Sequence, residues 1–190
     1  MNCSSPAPAP AHLSSTPSEW VHRFAHLLPA VSRVLDVACG SGRHAAFLAS
    51  LGHHVTGVDR DAQALLKLPP HVTAIHADIE NGPWPLPDQL FDAVVVTNYL
   101  WRALWPQLLA SVREGGVLIY ETFAQGNALY GKPSRPDFLL APGELLLVCA
   151  GWQVVAYEHG LRNAPDRVVQ RIAAIKARGG ETIAPALQAA

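Results

Sequence analysis

Two glycines, Gly40 and Gly42, follow a short apolar run, Val34-Leu-Asp-Val-Ala38. Glycine lets a backbone turn tightly and lets a ligand approach main-chain N–H groups. With Ala45 the spacing is G-x-G-x-x-A, the pattern of a strand-to-helix turn that cradles a nucleotide. Two carboxylates flank it. Asp36 lies within the apolar run before the loop. Asp59 closes the next apolar run, Val55-Thr-Gly-Val-Asp59, where ribose hydroxyls would be gripped. These four positions define a crevice for a nucleoside-bearing ligand.

The charge of Asp36 separates two such ligands. A carboxylate facing the crevice repels a pyrophosphate and suits a ligand with an ammonium and a sulfonium. S-adenosylmethionine (SAM) carries both and has no phosphate. The sign of the charge therefore favours SAM over NAD, and an NAD(P)-dependent oxidoreductase is the competing reading. A carboxylate that only caps a helix or braces the loop is the structural alternative.

Other reactive residue types are scattered. His22 and His26 are four apart on a helical stretch without an evident third metal ligand, so an exposed face is expected and no metal is assigned. His44 opens the helix after the loop and reads as a packing residue. Cys39 reads as a small filler, its thiol pKa raised if anything by Asp36.

The elements that must position these residues follow from periodicity. Residues 20–30 have helical spacing broken by Pro29. Strands are expected at 33–38, 55–59, 72–77, 91–97 and 117–122. Helices are expected at 43–51, 62–68, from Pro106 to before Gly115, and at 142–150. Residues 152–158 and 168–175 read as two consecutive strands, hence antiparallel. Alternating strands and helices with nearly continuous apolar strands imply an α/β, doubly wound, seven-stranded, mostly parallel sheet closed by a C-terminal antiparallel hairpin.

Composition bounds the rest. Of 190 residues, 49% are hydrophobic and 15% charged, enough apolar material for a full core. Fourteen Lys+Arg against 15 Asp+Glu leave no basic footprint for duplex nucleic acid, though a compact RNA stays open. Three scattered cysteines suit a reducing cytoplasm, and no apolar run is long enough for a membrane span. Residues 1–18 read as a disordered or extension tail, 19–178 as the domain and 179–190 as a loose tail.

With these residues in place, the chain resembles a class I SAM-dependent methyltransferase from Val31 to about Lys176. The family's first motif is read here as Asp36, Ala38, Gly40 and Gly42, with Ala38 at the usual first glycine. The resemblance implies that Asp59 lies at the ribose, that Arg60 beside it is cofactor-binding and that Asp78 and Ile79 contact adenine. Asn98 is implied beside the cofactor. It also places the methyl acceptor over Thr97-Asn-Tyr-Leu-Trp-Arg102. Asn98 and Tyr99 there stand without the two prolines of amine-methylating relatives. Asn98, Tyr99, Arg102 and Glu121 are the acceptor-side candidates, Glu121 either as a base or as a buried partner of arginine. Glu121-Thr-Phe and the later Phe-Leu…Gly-Glu-Leu run are similar to the bacterial tellurite-resistance-type branch, which acts on small acceptors. The implied activity is methyl transfer from SAM to a small or medium acceptor by a monomer or homodimer. A SAM-binding partner or sensor domain without turnover is the non-enzymatic alternative.

Overall fold

An apolar run without polar alternation is stable only when both faces are covered, and two such runs lie side by side in the middle of the sheet. They are β1 (Arg33–Val37) and β4 (Phe91–Thr97). The computed structural model describes residues 16–179 and Pro185. Around the central pair stand β2 (His54–Asp59), β3 (Thr73–His76), β5 (Val112–Phe123), β6 (Gln153–Arg162) and β7 (Arg167–Ile175). The seven strands are ordered β3-β2-β1-β4-β5-β7-β6. β7 runs antiparallel to both of its neighbours, and the other pairings are parallel. The expected doubly wound sheet with its closing hairpin is the observed one.

The helices are short: α1 (Glu19–Phe24), α2 (Arg43–Ser50), α3 (Ala62–Leu65), α4 (Trp105–Ser111) and α5 (Glu144–Val148). Side chains alternate across each strand, so the sheet separates two cores. Trp20, Phe24 and Leu48 pack with Val34, Val95 and Ile119 on one face. Leu104, Leu108 and Leu145 pack with Leu35, Val94, Leu118 and Tyr120 on the other. The period of two puts Asp36 on the same face as Val34, toward α2.

The strand order reverses between β1 and β4. In an open parallel sheet the connections leave the two strands on opposite faces there, opening a crevice beyond their carboxyl ends. The Gly40–Gly42 loop follows β1 and Asn98 follows β4 at that crevice.

Boundaries moved where backbone pairing outweighs periodicity. The helix expected up to Gly115 ends at Ser111, and β5 begins five residues before the expected Val117. Val112 is buried and pairs with Phe91, after which the register jumps to Ala93↔Val117. Gly115, at φ +72°, allows that bulge, and its N–H donates to the Lys176 carbonyl at 2.8 Å. The leading helix stops at Phe24 and continues as a 3-10 turn to Leu27. β6 extends to Arg162, beyond the expected residue 158, because His159–Arg162 pair with Arg167–Gln170.

Ser18 is no tail residue. Its hydroxyl accepts the Trp20 N–H and caps α1. Most of the two expected tails lies outside the described residues.

Candidate functional site

The loop after β1 is held in a conformation that costs non-glycine residues energy. Ala38, Gly40 and Gly42 have φ of +53°, +55° and +78°. Two hydrogen bonds fix it to β2. The Cys39 N–H donates to the Val58 carbonyl at 3.1 Å, and the Gly40 N–H donates to Asp59 Oδ2 at 2.7 Å. A side chain at Gly42 would collide with Leu68, its Cβ falling 1.9 Å from Cδ2. Gly57 on β2 is equally constrained, since a Cβ there would lie 2.8 Å from Cys39 Sγ. A glycine inside a strand is a sign of such close approach, and that signal went unread in the sequence.

Asp36 is 1% exposed, and neither carboxylate oxygen has a hydrogen-bond partner. Burial lifts its pKa from 3.8 to about 7, assisted by the Asp59 charge and opposed by the Ala45 backbone and Arg43. An orphaned buried carboxylate is costly unless it is protonated or meets a cation. Bracing of the loop falls instead to Asp59, whose oxygens accept the Gly40 and Asp61 N–H groups. A carboxylate has about four lone-pair sites, so about two remain on Asp59 for ligand hydroxyls.

Beside the loop are two adjoining hollows. One, of about 120 Å³, is lined by Ala38, Asp59, Arg60, Asp78, Ile79, Glu80 and Tyr99. The other, of about 170 Å³, is lined by residues 38–41, Arg43, His44 and residues 97–99. Ala38 and Tyr99 border both. Arg60 faces Glu80 at 3.7 Å. Ile79 is buried. Asp78 is turned into its own loop: Oδ1 accepts the Glu80 and Asn81 N–H groups and Oδ2 accepts the Asn81 amide at 2.9 Å. The Asn81 bond, more than the backbone ones, lowers its pKa.

Most of the residues expected from the sequence thus converge: Asp36 behind the loop, Ala38, Gly40 and Gly42 in it, and Asp59, Arg60, Asp78, Ile79, Asn98 and Tyr99 around it. Asn98 is exposed at φ +54°, its N–H donating to the Glu121 carbonyl at 2.9 Å. The Tyr99 hydroxyl is buried without a partner, and burial together with the Glu80 carboxylate pushes its pKa up.

Two acceptor-side candidates have other work. Arg102 binds Glu144 through two bonds of 2.7 and 2.9 Å and also donates to the Asp137 and Leu139 carbonyls. It ties down the segment before α5. Glu121 is buried, accepts the Ser18 hydroxyl at 3.0 Å and faces Arg171 at 3.3 Å and Arg162 at 3.8 Å. Of its two readings, the arginine-paired one is the observed arrangement.

His44 receives the Ser18 N–H on Nε2 at 3.1 Å, and its Nδ1 meets the Thr97 hydroxyl at 3.2 Å. Burial, then Arg43, lowers its pKa to about 3, so it is neutral and structural. Burial, then Asp36, pushes the Cys39 thiol up. The described residues contain no cluster of three or more His, Cys, Asp or Glu side chains able to hold a metal. Ser41, Arg43 and Glu80 line the hollows and went unread as site residues, as did Ser18, which holds His44 and Glu121 from outside them; a serine just before a periodic stretch is a capping signal.

A mostly parallel sheet in this order, with β7 antiparallel, is a Rossmann-like fold of the kind found in solved methyltransferase structures. Residues 34–115 match the family described as "Methyltransferase domain". The chain is 38% identical over 96 residues to protein-L-isoaspartate O-methyltransferase of Aliivibrio salmonicida, an alignment covering 46% of this chain and 45% of that protein. It therefore spans less than half the length of that curated relative. Among solved structures it is similar to TehB from Haemophilus influenzae, with a TM-score of 0.72 and 19% identity over 87% of this chain and 64% of that one. A SAM-dependent methyltransferase from Methanosarcina mazei gives a TM-score of 0.65 and 16% identity over 85% and 99%.

Proposed function

We propose that the chain is a SAM-dependent methyltransferase acting on a small or medium acceptor. The observation that carries this reading is the Asp36 carboxylate on β1, buried behind the two hollows with neither oxygen hydrogen-bonded and with Arg43 and Asp59 as its charged neighbours. It answers a cation and opposes a pyrophosphate. Bound SAM supplies a methyl group already activated on a sulfonium, so the protein has mainly to align the reactants and exclude water.

The residues fit that task. Asp36 offers charge to the ammonium or sulfonium end. Gly40 leaves the backbone open, with nothing within 4 Å of where a Cβ would stand. The free lone pairs of Asp59, with Arg60 beside them, suit ribose hydroxyls. Ile79 offers an apolar face to adenine, and Asp78, whose other lone pairs are taken by its own loop, keeps one on Oδ2 for the adenine amine. Asn98 and Tyr99 border the space for the acceptor. None of the titratable groups lining the acceptor hollow is set up as a base: His44 is neutral with both nitrogens engaged, and the Cys39 thiol and Tyr99 hydroxyl are pushed up. An acceptor that is already neutral or anionic at pH 7 suits such a site.

A cytoplasmic setting is part of the proposal. Cys39 and Cys149 are free and buried, and no described helix is long and apolar enough to cross a membrane. Calorimetric titration with S-adenosylhomocysteine (SAH), SAM and NAD tests the reading. SAH and SAM should bind and NAD should not; NAD binding without SAH binding would overturn it. Methyl-labelled SAM incubated with cell extract should then yield a labelled acceptor.

A further inference from the structure

A chain of hydrogen bonds from Ser18 through His44 to Thr97 has a fixed direction. A backbone N–H can only donate, and the Ser18 N–H donates to His44 Nε2 at 3.1 Å. Nε2 therefore gives its lone pair and carries no hydrogen. A neutral imidazole then holds its one proton on Nδ1, and burial keeps this ring neutral. Nδ1 lies 3.2 Å from the Thr97 hydroxyl, so the ring donates and Thr97 Oγ1 accepts. The start of the chain is itself held in place. The Ser18 hydroxyl accepts the Trp20 N–H and donates to Glu121.

The proton of the Thr97 hydroxyl is left over. No other hydrogen-bond partner of this side chain occurs among the described residues. Thr97 is 8% exposed, and a buried donor that stays unused is costly. It is the last residue of β4 and, with His44, Asn98 and Tyr99, lines the hollow of about 170 Å³. A hydroxyl that accepts one hydrogen bond is polarised into a stronger donor. The bond from His44 also limits its rotation. Thr97 thus brings an oriented donor to a hollow in which no group is set up as a base.

We propose that the Thr97 hydroxyl donates a hydrogen bond to an oxygen of the methyl acceptor, with His44 as the positioning residue behind it. This rests on the methyltransferase reading above. The bonded oxygen is not the atom methylated, because a donated hydrogen bond would occupy the lone pair that must attack the methyl group. The acceptor class is a molecule with a carbonyl or carboxylate oxygen beside its nucleophile.

The test uses the full chain, Thr97→Val, which keeps the shape and removes the hydroxyl, and Thr97→Ser, which restores it. Nitrogen-15 NMR of the His44 ring in the parent should place the proton on Nδ1. Methyl-labelled SAM is then incubated with serial dilutions of cell extract. In dilute extract Thr97→Val should form labelled product about tenfold more slowly, and more slowly still for an anionic oxygen. The deficit should shrink as the extract is concentrated, a rise in KM at constant kcat. SAH affinity by calorimetry should stay within twofold, and Thr97→Ser should recover most of the rate. Should Thr97→Val not fold, Thr97→Ala carries the same comparison. A His44 proton on Nε2 would overturn the direction of the chain. Labelling by Thr97→Val within twofold of the parent would overturn the acceptor bond. SAH weakened beyond twofold would also overturn it, giving the hydroxyl to the cofactor. A parent that binds SAH and labels nothing sinks the acceptor bond and leaves the cofactor assignment standing. A parent that binds no SAH overturns the methyltransferase reading instead.

Discussion

Asp36 sets binding against stability within one side chain. Its pKa of about 7 in the ligand-free protein stands above the ordinary 3.8, so folding favours its protonated form. Stability from this group is complete below about pH 4 and is lost as pH rises through 7, by roughly 4 kcal/mol in all at 1.36 kcal/mol per pKa unit. Asp36→Asn should therefore be more stable than the parent at pH 8, with a flatter profile from pH 5 to 8 in urea unfolding. The same variant should lose affinity for SAM more than for SAH, which lacks the sulfonium charge. A variant that binds NAD better and SAM no worse would remove the cofactor assignment. Ala38 makes a separate point. The residue departs from the glycine usual at its position, yet its φ of +53° is one glycine adopts freely. Ala38→Gly should add about 1 kcal/mol of stability with SAH affinity retained, since only backbone strain is relieved. Asp59 was legible from its position at the end of β2, but its role as the brace of the loop was not, because hydrogen bonds to backbone N–H groups leave no trace in residue type.

At the level of elements, the segments that frame the crevice are held by side chains rather than by long helices. Residues 77–90, between β3 and β4, contain no helix, and the stretch from β5 to α5 is a series of turns. Arg102 is the main tether of the latter. Its fork on Glu144 and its two carbonyl bonds join the turn after β4 to the start of α5. The Ala141 N–H adds a bond to the same carboxylate at 2.6 Å. Arg102→Met should lower stability by about 1–2 kcal/mol, because a partly exposed fork is worth a few hydrogen bonds at most. SAH affinity should hold, as neither hollow is lined by Arg102. A loss of acceptor binding with stability unchanged would return Arg102 to the acceptor side. The central strands were legible because they are nearly continuous apolar runs, β4 being buried throughout, while the edge strand β3 is short and mostly exposed. The end of α4 was not: Val112 follows a helical stretch without a break, and only its pairing with Phe91 reveals the strand.

Across the whole molecule, the doubly wound, mostly parallel sheet could be inferred from alternation and its antiparallel end from the hairpin of two consecutive strands, whereas the strand order came from the structure. Long-range ties between the termini could not be inferred, since they join residues far apart with no local pattern. Trp20 is fully buried, donates its Nε1–H to the Ile172 carbonyl at 3.1 Å and lies under the Arg171 guanidinium at 4.5 Å. Ser18 reaches Glu121 from 103 residues away, and Arg171 reaches it from β7, 50 residues on. Glu121 thus joins the capping turn of α1, the carboxyl end of β5 and the hairpin, next to the crevice. A group in that position has two possible roles with opposite signatures. As a base, its conversion to glutamine would cut kcat and leave stability alone. As a buried tie, Glu121→Gln should cost about 1–3 kcal/mol, because Arg171 keeps Glu158 as its second partner while losing a buried charge. Its three partners and its burial favour the tie. The expected result is a lower urea midpoint for Glu121→Gln, with methyl transfer per folded molecule at 25 °C within a few-fold of the parent. A hundredfold fall in kcat with an unchanged midpoint would make Glu121 a catalytic residue, and the Ser18 bond would then be the feature that orients it.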